Sequence, residues 1–244
     1  MSINLVEILD KYKERLSELN SLGLNKQGIP GYVKGSIRTC EAQTLYSLIR
    51  EFKFKNIIDV GTGPGFSAWY FAQALKDEQL EGIIETIDTG PDIELTSGML
   101  SNHGLEDYVN FNIGLSTGVL PSLGKLKKEW DMVLIDGDHS YEQTKIDFEN
   151  AFNLIKPGGC IVFHDVYPTP GCYSIGPRDV IQDVIDEEMG EVVFFEEEIF
   201  NYFNYQDDVQ DVIRIGQKWI ERGYGSWVDR KANPKELMAV FFKK

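Results

Sequence analysis

Between residues 55 and 165 the chain alternates short apolar runs with longer amphipathic stretches. The runs are KNIIDV (55–60), GIIETID (82–88), YVNFNI (108–113), DMVLID (131–136) and GCIVFHD (159–165). Strand-length runs separated by helix-length segments predict βαβ units. The fold class expected is therefore α/β, with a doubly wound, largely parallel sheet covered by helices on both faces. Leu5, Ile8, Leu9, Tyr12, Leu16 and Leu19 predict a helix over 3–19. A second helix is expected from Thr39 as its cap, with Ala42, Leu45, Leu48, Ile49 and Phe52 on its apolar side. Ser140 and Gln143 have capping-box spacing, and Pro157-Gly158-Gly159 is expected to end the element they open. Beyond residue 166 helices are expected at 178–188 and 208–222, a strand at EVVFFEE (191–197) and a last apolar run at LMAVFF (237–242). No internal repeat or linker divides the chain, so 1–244 reads as one domain. Within it, 1–35 is an N-terminal helical and loop extension, and 167–235 carries loops and helices on the substrate side.

A formal net charge of -15 from 39 acids and 24 bases argues against nucleic acid and anionic membrane surfaces, both of which call for Lys and Arg. Three cysteines, Cys40, Cys160 and Cys172, have no CxxC spacing, which points to neither a disulfide framework nor a zinc site. No apolar leader or span is visible, so a soluble protein of a reducing cytoplasm is expected.

The first apolar run leads into IDVGTGPGFSAW (58–69), with Gly61, Gly63 and Gly65 at alternate positions where a strand gives way to a helix. Glycines there let a ligand approach the backbone and meet the free N–H groups of the helix. A tight turn needing glycine only for its φ angles is the simpler alternative. The spacing is GxGxG, with Phe66 where the dinucleotide fingerprint GxGxxG has its last glycine. The next run ends in Asp88, with Glu85 three residues earlier, and an acid at that strand end can hold both hydroxyls of a ribose. The plainer role for Asp88 is to cap the turn before Gly90-Pro91.

Taken in order, IIDVGTGPGFSAWYFAQAL, IETID and WDMVLIDGDHSYEQTKIDFENAFNLIKPGGCIVFHDV resemble class I S-adenosylmethionine-dependent methyltransferases over about residues 36–166. The likeness is greatest to small-molecule O-methyltransferases, including sugar and natural-product enzymes, that carry an IDGDHSYE segment. The resemblance implies a Rossmann-like sheet of seven strands, the last two from the C-terminal region. It also implies S-adenosylmethionine bound by Asp59, Gly61, Thr62, Gly63, Gly65, Ser67, Asp88 and Asp136, with GSIRTCEAQTL (35–45) helping to enclose it. The N-terminal helix is expected to cover that cofactor or to pair with a second copy in a homodimer.

Asp136, Asp138 and His139 follow the fourth run, and His164 and Asp165 close the fifth. Adjacent parallel strands lie about 4.8 Å apart, so Asp136 and Asp165 are expected to face a common space. Close carboxylates repel unless protonated or bridged, which makes Asp136 and Asp165 candidate ligands for Mg²⁺. His139 and His164, with Asp136, are the candidate catalytic groups that would deprotonate a hydroxyl. Catechol-type relatives have Asn after the strand-five aspartate, whereas Val166 stands here. The function expected is methyl transfer to a hydroxylated small molecule. Alternatives are an NAD-dependent oxidoreductase and a non-catalytic binding module on the same fold. The Asn/Asp-Pro-Pro-Tyr signature of amino-group methylators is absent after the fourth run. Substrate selection is expected from 167–177 and NYFNYQDDV (201–209), where Tyr167, Tyr173 and Tyr202 could line a pocket.

Overall fold

The computed structural model describes residues 3–21, 37–90, 93–166, 176–195, 197–203 and 238–244. Seven strands form one sheet: β1 (Asn56–Val60), β2 (Ile83–Asp88), β3 (Val109–Ile113), β4 (Trp130–Ile135), β5 (Ile155–Phe163), β6 (Gly190–Phe194) and β7 (Ala239–Lys243). Their order is β3-β2-β1-β4-β5-β7-β6. The first five run parallel, and β7 is antiparallel to both β5 and β6. Because the strands are buried on both faces, consecutive residues feed two different cores. Ile57, Met132, Val162 and Val240 belong to one. Ile58, Val133, Ile161 and Phe241 belong to the other.

The first core is closed by α1 (Leu5–Ser21), α2 (Thr39–Phe52), α3 (Phe66–Asp77) and α4 (Ile93–Asn102). The second is closed by α5 (Ser116–Gly124), α6 (Tyr141–Leu154) and α7 (Gly176–Asp186). The sequence placed α1 over the cofactor or a second copy. Within the chain its helix contacts are with α2 and with α8 (Glu197–Tyr202). It is tied to its neighbours by Arg15, whose Nε and Nη2 donate to the Asp77 carboxylate at 2.8 and 3.0 Å.

Two local expectations change. Thr39 is the first helical residue rather than the cap, and Arg38 precedes it with its N–H donated to Glu41 Oε2 at 2.6 Å. Pro157-Gly158-Gly159 does not end α6. That helix stops at Leu154, and the Pro-Gly-Gly forms a bulge inside β5, because Trp130 faces Ile155 while Met132 already faces Cys160. The helix expected at 208–222 lies outside the described residues.

Candidate active site

The carboxyl ends of β1, β2, β4 and β5 converge, where an open parallel sheet binds its ligands. A cavity of about 470 Å³ opens there, lined by Gly61, Gly63, Asp88, Asp136, Gln143 and neighbouring backbone. Phe66, the residue that breaks the dinucleotide spacing, is the buried start of α3 and stacks edge-on against Tyr70.

The three glycines have different reasons to be there. A Cβ on Gly61 (φ +98°) would lie 2.1 Å from the Asp136 carbonyl oxygen, and one on Gly65 (φ +82°) 2.2 Å from Thr96 Cγ2. At both, the close neighbour is the protein itself. Gly63 (φ +47°) would meet nothing within 4 Å, and its missing side chain leaves cavity space. The expectation of ligand approach therefore rests on Gly63, and the turn argument accounts for the other two.

Asp88 sits in the cavity wall with Oδ2 accepting from the Gly63 N–H at 3.0 Å and Oδ1 from the Gly90 N–H at 2.9 Å. It does cap its own turn, while each oxygen keeps a lone pair for a further donor. Glu85 is spent elsewhere, accepting from Asn110 and Asn112 at 2.9 and 2.8 Å. Behind the glycine loop Asp59 is fully buried, with Oδ2 accepting from Ser67 Oγ at 2.7 Å and no partner on Oδ1. Burial above all, with Asp136 and Asp88 nearby, pushes its carboxyl up to about 8.

The histidines and acids beyond β4 and β5 form one cluster with a buried imidazole at its centre. His164 Nδ1 lies 2.8 Å from Asp136 Oδ1 and 3.7 Å from Asp165 Oδ1, while Nε2 lies 3.3 Å from Glu41 Oε2. Burial disfavours its charge, but Asp136, Asp165 and Glu41 together hold the imidazole well above its ordinary range. Burial likewise opposes ionisation of Asp136 and Glu41, and His164 overrides it, so both carboxyls are lowered. His139 Nε2 approaches the same Asp136 oxygen at 3.4 Å from the more exposed side. Asp165 has φ 49°, a left-handed turn off the end of β5 that Asp tolerates better than most residues.

The two acids of the expected Mg²⁺ pair, Asp136 and Asp165, both stand beside His164 Nδ1. Asp136, His139 and His164 offer atoms within 4.8 Å of one another, and Asp165 is not part of that group. An imidazolium between carboxylates has no lone pair to give a metal, and Mg²⁺ asks for oxygen donors. The histidines of that group do not suit Mg²⁺, which leaves the oxygens of Asp136 and Asp165 as the donors that would hold it. Glu41 is the residue the sequence reading missed. The signal available was a charge amid the apolar positions of a helix, flanked by Cys40 and Ala42. Tyr202 lies on α8 facing Asp10 of α1, away from the cavity. Tyr167, Cys172 and Tyr173 lie outside the described residues. The chain returns at Gly176, where a Cβ would fall 2.4 Å from the His139 carbonyl oxygen, so α7 begins against the cluster.

With that geometry in hand, residues 58–166 match the family model described as a methyltransferase domain. A protein of Mycobacterium sp. (strain JLS) with a provisional O-methyltransferase name is 28% identical over 137 residues, 53% of this chain and 57% of its own. The Sinorhizobium fredii protein y4gI is 28% identical over 125 residues, 48% of this chain and 14% of its own. The chain thus spans little more than half the length of the curated relatives it matches, or less. Among solved structures, the O-methyltransferase TomG from Streptomyces achromogenes, in complex with S-adenosylmethionine, superposes with TM-score 0.57. The two are 20% identical, over 78% of this chain and 82% of that one. The O-methyltransferase from Bacillus cereus, in complex with S-adenosylhomocysteine, gives TM-score 0.56 at 18% identity, over 80% and 86%. The fold is the Rossmann-like fold of these O-methyltransferases. Among the described residues no helix is long and apolar enough to cross a membrane.

Proposed function

We propose that this chain transfers a methyl group from S-adenosylmethionine to a hydroxyl of a small molecule. The observation that carries the reading is a single cavity at the sheet's carboxyl edge that joins the open Gly63 position, Asp88 and the Asp136 cluster. Asp59, Thr62 and Ser67 support the glycine loop from within the protein, and Asp88 offers carboxylate lone pairs to a ribose. S-adenosylmethionine supplies an electrophilic methyl group on a sulfonium centre. His139, partly exposed beside Asp136, takes the proton of the acceptor hydroxyl, and Asp136 stabilises the imidazolium that forms. His164 is not the base in this reading, because both of its nitrogens face carboxylates and it is already held in the charged form. It orients Asp136. The acid content of the chain suits a small neutral or cationic acceptor better than a nucleic acid.

The test is calorimetric titration with S-adenosylhomocysteine, with NAD as the comparison, in Mg²⁺ and in EDTA. Saturable binding of S-adenosylhomocysteine alone is expected, unchanged by EDTA. Asp88→Ala should weaken it at least about a hundredfold, the loss of two hydrogen bonds to a charged group. Binding of NAD in its place would turn the reading to hydride transfer, and binding of neither would end it. Binding that EDTA abolishes would restore a metal to the site.

A further inference from the structure

The turn from β4 to α6 carries both Asp136 and His139, and two glycines from elsewhere in the chain press on its backbone. Gly61 meets it at the start, against the Asp136 carbonyl oxygen. Gly176, the first residue of α7, meets it at the end. A Cβ there would lie 2.4 Å from the His139 carbonyl oxygen, 2.4 Å from the Ser140 carbonyl carbon and 2.5 Å from the Tyr141 nitrogen. The turn is thus gripped through its main chain, and the grip uses none of the side chains that face the cavity.

The two glycines are not equivalent. Gly61 has φ +98°, so the turn it makes calls for glycine whatever lies nearby. Gly176 is not among the glycines with positive φ, and its backbone would accept any L residue. Only the contact with residues 139–141 keeps a side chain out of that position. Behind Gly176, α7 is seated firmly, with Val180, Ile181 and Val184 buried in the second core. Tyr141 Oη also donates to Asp183 Oδ2 of α7 at 2.7 Å. The turn itself is stiff, because the Ser140 N–H donates to Asp138 Oδ1 at 2.7 Å and the Thr144 N–H to the Ser140 carbonyl at 2.9 Å. A push at 139–141 therefore moves His139 with its backbone, and the 3.4 Å approach of its Nε2 to Asp136 Oδ1 changes.

We propose that Gly176 is a positioning residue, through which α7 bears on the backbone of 139–141 and sets the approach of His139 to Asp136. A methyl group at 176 would drive the turn and α7 apart by about 1 Å to reach ordinary carbon contact. A general base works only within hydrogen-bond reach of its proton, and a misplacement of about 1 Å can cost about a hundredfold in rate. The inference rests on the reading of His139 as the base.

Carbethoxylation by diethyl pyrocarbonate in EDTA, followed by peptide mass spectrometry, reads the placement of His139, with His103 as the internal standard. Asp136→Asn gives the rate of a His139 that has lost its carboxylate. Gly176→Ala should raise the His139 rate about threefold to tenfold toward that value, the range one polar contact spans, and leave His103 alone. Val180→Ala loosens α7 from the second core without touching the turn, and should raise the His139 rate at least about twofold. Leu9→Ala truncates an equally buried residue of α1, remote from the turn, and should leave the rate unchanged. An unchanged or lowered rate in Gly176→Ala overturns the proposal. So does an equal rise in Leu9→Ala, because loss of stability alone would then move His139. Should Gly176→Ala fail to fold, an unchanged rate in Val180→Ala overturns it instead. Titration of the unmodified protein with S-adenosylhomocysteine stands apart: absence of binding ends the methyl-transfer reading, while the carbethoxylation rates still decide what α7 does to His139.

Discussion

Asp59 is a carboxyl group with one oxygen on Ser67 and the other on nothing, enclosed by the sheet. Its folded value of about 8 is raised far above that of an exposed carboxyl. For an acid raised on folding, the contribution to stability is complete below the unfolded value and is lost as pH rises through the folded one. Between about pH 4 and pH 8 this group should therefore cost the protein about 1.4 kcal/mol per pH unit. Asp59→Asn keeps the shape and lacks the titration. Urea denaturation from pH 5 to pH 9 should show the variant gaining on the parent up to about pH 8 and running parallel beyond it. Parallel curves throughout would mean that Asp59 stays ionised. The same scale shows where sequence reading stops. Asp136 and His139 were legible from their place after an apolar run. The partnership of Glu41 with His164 spans 123 positions and has no local spacing to betray it. The carboxylates on both sides of His164 come from different elements, so its surroundings had no local signal either.

At the scale of the element, the turn from β1 to α3 shows three glycines doing two jobs. Gly61→Ala sets a methyl group against the Asp136 carbonyl in a conformation that L residues avoid, and should cost more than about 2 kcal/mol in urea denaturation. Gly63→Ala has room and should cost about 1 kcal/mol, the strain of a left-handed Ala, while its methyl group enters the cavity and weakens S-adenosylhomocysteine several-fold. Equal losses of stability, with binding untouched by Gly63→Ala, would remove the distinction. Alternate glycines say only that side chains are absent. Whether protein or ligand fills each gap depends on β4 and α4, which approach the loop from elsewhere in the chain. The Pro157-Gly158-Gly159 bulge was missed for a related reason. Those residues commonly stop a helix, but here Ile155 had already begun pairing with β4.

For the whole molecule, strand positions were readable because each apolar run alternates between two cores, and the alternation needs no partner to be seen. The order of the strands has no such local signal. The antiparallel insertion of β7 between β5 and β6 is a long-range pairing, and the resemblance implied two C-terminal strands without their order or direction. Phe241 is fully buried on that strand and packs edge-on with Phe148 of α6. Phe241→Ala should lose about 3–5 kcal/mol in urea denaturation, the cost of deleting a buried ring. A loss under about 1 kcal/mol would mean that β7 contributes little to closing the sheet.

The position of β7 also bears on how the chain comes off the ribosome. Among the described residues, β5 emerges with one edge that residues 239–243 cover, and β6 pairs with those same residues alone. Throughout the synthesis of everything between, a buried-type strand edge stands open beside the forming site. Such edges recruit other strands. Slow translation between β6 and β7 therefore lengthens the interval in which nascent copies can pair with one another, and a holding chaperone would act there.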